Sequence, residues 1–118
     1  MPRDGTYNGW TNWETWAVKL YQDNEEQSNR EVAALAVRCA QIKLGQVTGK
    51  VFDLDIAIAA FKRVMAPAFR QVKREWLEWR TERQDEPRAL NVNWAEITMA
   101  YIDDEVTEIE YAEKKGRS

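Results

Sequence analysis

The sequence predicts an all-α fold, a small single-domain helical bundle of four to five helices. Apolar residues recur in steps of three and four along separate stretches of the chain. Capping pairs stand where two of those stretches begin, Ser28 with Glu31 and Asn93 with Glu96. With 118 residues, 44% hydrophobic and 31% charged, the chain has material for one core and a solvated surface. Residues 1–118 are therefore expected to form one helical domain with flexible ends at 1–9 and 114–118.

The elements follow in order. Pro2, Gly5 and Gly9 among polar residues favour an irregular arm leading into Trp10. Thr11 with Glu14, or Asn12 with Thr15, can cap a first helix over about 12–23, whose apolar positions are Trp13, Trp16, Ala17 and Leu20. A second helix, about 28–44, opens on the Ser28–Glu31 box, carries Val32, Leu35, Ala36, Cys39 and Ile42 on one stripe, and ends at Gly45. Val47 to Phe52 is a connector with a tendency to extend. Asp53 or Asp55 can open a third helix over about 54–80 with Ile58, Phe61, Met65, Phe69, Val72, Trp76 and Trp79 on its apolar face. Pro67 must kink or break this helix near Ala66, because proline lacks a backbone donor and its ring crowds the carbonyl one turn earlier. The charged stretch Arg80–Arg88 reads as a loop, and Asn93 with Glu96 caps a last helix of about 94–113 bearing Ile97, Tyr101, Ile102, Val106 and Ile109. Helix should hold more than half of all residues.

The chemistry inventory argues against an enzyme. There is no histidine, so the usual base near neutral pH, the commonest metal ligand and every imidazole-based triad are missing. Serine occurs only at 28 and 118, and glycine is too scattered for a phosphate-cradling loop. The densest carboxylate sets, Asp53-x-Asp55 and Asp103-Asp104-Glu105, are accounted for by capping and by a solvated helix face. The single cysteine, Cys39, lies in an apolar run and reads as an inert buried thiol. No catalytic residue, metal or cofactor is expected. No apolar run approaches membrane-spanning length and none precedes Gly9, so neither anchor nor leader is expected and the cytoplasm of a bacterial host is the expected compartment.

The net charge is only −3, yet its distribution is uneven. From Ile56 to Arg74 every charge is positive: Lys62, Arg63, Arg70, Lys73 and Arg74. From Ala89 to Glu113 every charge is negative: Glu96, Asp103, Asp104, Glu105, Glu108, Glu110 and Glu113. Lys62, Arg70, Lys73 and Arg74 form one stripe if the third helix runs on through Pro67, and such a stripe can neutralise phosphates or pair with the acidic helix within the molecule or across a dimer. The six tryptophans pose a similar choice. Trp13 and Trp16 are expected to anchor the first helix to the core, with an exposed aromatic anchor for a partner as the other reading.

The segment Asn8-Gly9-Trp10-Thr11-Asn12-Trp13-Glu14-Thr15-Trp16 resembles the opening of a family of small uncharacterised proteins carried by phages and plasmids, which reads GW-x-N-Y-E-T-W. Trp13 stands here in place of the usual tyrosine. A second segment, Val92-Asn93-Trp94-Ala95-Glu96-Ile97, is similar to that family's V-N-W-x-E-I helix start. The resemblance implies a genetic context, an accessory protein of a mobile element, and no activity. Its motif residues Trp10, Trp13, Glu14, Trp16, Asn93 and Trp94 are read as capping and core-packing residues.

From context and elimination, the expected function is binding of a host protein, with a defence complex such as a CRISPR effector or a restriction enzyme as the leading partner. The acidic residues Asp103, Asp104, Glu105 and Glu108 would carry this by complementing lysine- and arginine-lined grooves. Nucleic-acid binding through Lys62, Arg63, Arg70, Lys73 and Arg74 is the alternative, and a homodimer or larger assembly burying tryptophans is a third. If Asn93 caps the last helix, Asn93→Ala should lower stability by about 1 kcal/mol in a denaturant titration.

Overall fold

Asn12 has extended backbone (φ −159°) and its Oδ1 accepts from the Thr15 N–H, which opens the first helix, α1, Trp13–Asp23. A computed structural model describes residues 7–83 and 89–116. Ahead of α1, Tyr7 and Trp10 exchange both backbone hydrogen bonds at 2.8 Å across Asn8 (φ 48°) and Gly9 (φ 86°). This is a two-residue hairpin turn, and Asn-Gly suits it because both central residues take positive φ. Part of the expected irregular arm is thus a defined turn that brings the Tyr7 ring to 4.8 Å from that of Trp16. Residues 1–6 lie outside the described residues.

The second helix, α2, spans Glu26–Lys43 and starts two residues before the expected cap. Only Asn24 and Glu25 separate it from α1, and no side chain caps it. Ser28 therefore lies within the first turn, and its Oγ accepts from Nε2 of the buried Gln22 instead of capping. Gly45 (φ 73°) takes the left-handed conformation that ends the helix, as expected. The connector from 47 to 52 forms turns and no strand.

Asp53 accepts from the Ile56 N–H at 3.2 Å and opens α3, Leu54–Val64. The chain turns at the fully buried Met65 and restarts as α4, Ala66–Arg83. Pro67 falls in the first turn of α4, where an N–H has no intrahelical acceptor in any case. The single kinked helix considered from the sequence is two helices, and the second runs three residues beyond 80. Residues 84–88, the rest of the expected loop, lie outside the described residues. The last helix, α5, spans Trp94–Gly116. It therefore includes most of the expected frayed tail, and Lys114 and Lys115 sit favourably at its negative end.

About three-quarters of the described residues are helical, and the bundle is all-α. α2 packs on α3 and α5, α1 packs on α4, and the start of α5 ties the two groups together. Val18, Val32, Phe61, Met65, Val72, Ile97 and Ile102 are fully buried at the centre. Val18 takes the place expected for Leu20, which is 37% exposed. The molecule measures 58 × 25 × 24 Å, longer than a compact chain of this size, and α5 alone accounts for about 35 Å of helix.

Two tyrosines bridge helices by donating to carboxylates. Tyr21 of α1 donates to Glu75 of α4 at 2.5 Å, and Tyr101 of α5 donates to Asp23 at 2.7 Å. Burial, then the bond to Glu75 and its charge, push Tyr21 from the ordinary 10.0 up to about 12. Burial and Asp23 likewise hold Tyr101 above the tyrosine range. Both folded values exceed the unfolded one, so the stabilisation is complete below about pH 10 and is lost as pH rises through the folded values. Stability measured by denaturant should fall from about pH 10 upward, and Tyr21→Phe should flatten the decline between pH 10 and about 12.

Candidate functional site

The two tryptophan-containing motifs meet in space and interlock. From the first motif, the Thr11 N–H donates to Glu96 Oε1 (2.9 Å) and Asn12 Nδ2 donates to the Asn91 carbonyl (2.7 Å). In return the Asn91 N–H donates to Glu14 Oε2 (3.0 Å), the Asn93 N–H to Thr15 Oγ1 (2.9 Å), and Asn93 Nδ2 to Thr11 Oγ1 (2.9 Å). Glu14 and Thr15 are fully buried. Each helix start is thus completed by residues about 80 positions away.

The acidic members of both motifs act across the clasp. Asn93 Oδ1 does accept from the Glu96 N–H (3.1 Å), but the Glu96 carboxylate crosses to Thr11 instead of turning back on Asn93. Glu14 holds the backbone ahead of α5 by accepting from the Asn91 N–H. The tryptophans follow the core reading. Trp10, Trp13, Trp16 and Trp94 are partly buried against the core; Trp13 stacks 6.3 Å from the buried Trp76, and Trp94 lies 5.6 Å from Phe69. These residues hold the fold together and leave the binding surface to be found elsewhere.

The acidic residues of α5 divide by direction. Ile102, Val106 and Ile109 face the bundle. Asp103 is drawn to Lys43 of α2 (3.1 Å), Glu113 accepts from Gln46 (2.6 Å), and Glu105 is half-buried. Asp104, Thr107, Glu108 and Tyr111 recur at three and four residues, which sets them on one outward face, and all are exposed. From Thr107 to Gly116 every residue except Ile109 is exposed. Tyr111, 65% exposed, is the only aromatic among the exposed large apolar residues described. Sequence reading missed it because it interrupts the apolar period; its position three residues after Glu108, opposite Ile109, is the signal that finds it.

The basic residues do not form one stripe. Lys62 and Arg63 end α3, whereas Arg70, Lys73 and Arg74 lie on α4 beyond the break at Met65. Lys62 Nζ lies 5.7 Å from the centre of the Trp94 ring, a cation–π contact that directs it toward the base of α5. Arg70, Lys73 and Arg74 keep a common exposed flank at offsets of three and four. Asp53 is occupied as the α3 cap, and among the described residues no group of three or more histidines, cysteines or carboxylates is arranged to hold a metal. Burial raises the Cys39 thiol above its ordinary value. No described helix is long and apolar enough to cross a membrane.

These features define an all-α domain whose two motifs form an internal clasp and whose last helix presents an acidic, aromatic outer face. Residues 3–114 match the model of a family of unknown function (DUF7249), and the chain belongs to that family. No curated protein and no solved structure matches the chain.

Thr15→Val removes the acceptor of the Asn93 N–H and should cost about 1–3 kcal/mol. Combined with Asn93→Ala, the loss measured by urea titration should fall short of the sum, because both changes open the same clasp.

Proposed function

We propose that this protein is a non-enzymatic accessory factor of a phage or other mobile element that binds a host protein, with a defence complex such as a CRISPR effector or restriction enzyme as its target. The observation that carries this reading is the outward face of α5, where Asp104 and Glu108 flank Thr107 and precede Tyr111 on exposed helix. Helically spaced carboxylates complement a lysine- and arginine-lined channel, and an exposed tyrosine supplies the rigid anchor that dominates many interfaces. Asp103, engaged by Lys43, and the half-buried Glu105 contribute less to this surface. The likeness of both motifs to proteins of phages and plasmids supports the genetic setting.

The Arg70, Lys73 and Arg74 flank of α4 supports a second reading, contact with nucleic acid, since none of the three has an ion-pair partner among the described residues. The two readings separate experimentally. Wild-type protein expressed in its host should co-purify with a host protein, and Asp104→Lys with Glu108→Lys and Tyr111→Ala should lose it, while Arg70→Glu with Lys73→Glu and Arg74→Glu should retain it. Tight duplex or single-strand binding by the purified wild type, with a steep loss as salt rises, would overturn the choice in favour of α4.

A further inference from the structure

A groove of about 320 Å³ runs between α2, α3 and the connector before α3. Leu35, Ile42 and Phe52 line it with Val51 and Ile56, and these last two are 90% and 70% exposed. Gathered with Leu35, Ile42 and Phe52 in one groove, they make a contiguous exposed apolar patch of the kind that marks an interaction surface. Arg38 and Lys50 also line the groove, and neither has an ion-pair partner among the described residues. The third charged lining residue, Asp53, is engaged by the Ile56 N–H. The groove therefore asks for a segment with an apolar side chain accompanied by carboxylates.

The chain carries such a segment itself. On the outward face of α5, Tyr111 stands one turn from Glu108 and two turns from Asp104, all on exposed helix. That face points away from the seam of Val106 and Ile109 by which α5 packs on its own bundle. We infer that the α2–α3 groove binds the α5 face of a second copy of this chain, with Tyr111 in the groove and Asp104 and Glu108 set against Arg38 and Lys50. Every copy holds both halves of the interface, so two copies related by a twofold axis can make the contact reciprocally. The inference shares the α5 face with the proposed function, so a dimer hides the surface that the host partner needs. It concerns the isolated chain and stands or falls without any host protein.

Sedimentation velocity of the purified chain across a concentration series tests it. The wild type should pass from monomer to dimer, and Ile56→Glu, a change at an exposed position, should raise the dimer dissociation constant about thirtyfold or more. Two charge-reversed proteins give the sharper test: Arg38→Glu with Lys50→Glu, and Asp104→Lys with Glu108→Lys. Each alone should remain monomeric, because like charges then face each other across both contacts. Mixed in equal amounts they should form a heterodimer, since both contacts are again between opposite charges. A wild type that stays monomeric throughout overturns the inference, as does a dimer that neither reversal weakens or a mixture of the two that fails to pair. A monomer that binds acidic amphipathic peptides through the groove would assign the groove to another protein and equally overturn it.

Discussion

The fold depends on two buried polar side chains of α1, Glu14 and Thr15, receiving backbone N–H groups from residues 91 and 93. A buried carboxylate or hydroxyl is tolerated when hydrogen bonds replace the water it has lost. Here the donors are main-chain groups just ahead of α5, so satisfying α1 fixes where the chain must be when α5 begins. The reverse holds as well: Asn93, just ahead of α5, and Glu96 in its first turn reach Thr11, and α5 cannot shift along its axis without breaking bonds at the start of α1. Helix packing is non-directional in its apolar part, and the clasp adds directional bonds that fix the register of α5 on α1.

Pro67 supplies the second constraint. Because it cannot donate, the long apolar face from Ile58 to Trp79 is cut at Met65, and the two pieces take different partners. α3 joins α2 and α5, and α4 joins α1. The buried Met65 is the joint between them, accepting from the Phe69 N–H and donating to the Phe61 carbonyl. The same break separates the basic residues, so a continuous cationic stripe is lost for the reason that the bundle has two groups of helices.

Much of this was legible in the residues because the signals were local. Asn12, Asp53 and Asn93 are found as caps by their own neighbours, and Gly45 as a stop by its conformational freedom. What could not be read was non-local. Ser28 and Glu31 satisfy the pattern of a capping box, yet the two-residue link from α1 starts α2 earlier and the buried Gln22 claims the serine. Glu96 also fits its local pattern but finds a donor 85 residues away in Thr11. Local rules score what one stretch of chain can do for itself; these side chains are used by another stretch. The candidate binding face shows the converse. The sequence marked Asp103, Asp104, Glu105 and Glu108 as one acidic group; only the tertiary fold engages Asp103 with Lys43, half-buries Glu105 and leaves Asp104 and Glu108 on the same open face as Tyr111.

The distance in sequence between the two halves of the clasp also has a consequence during synthesis. The ribosome makes α1 first, and its own cap, Asn12 to Thr15, is available at once. The N–H groups of Asn91 and Asn93 follow only after roughly 4–16 s, at synthesis rates of about 5–20 residues per second. Helix formation takes microseconds or less, so α1 must spend nearly the whole of translation with Glu14 and Thr15 solvated and Trp13 and Trp16 without their full cover. The clasp can close only when the residues at the start of α5 arrive. The nascent chain is thus most vulnerable to proteases and holdases at its beginning, and it is released from that vulnerability by residues near its end.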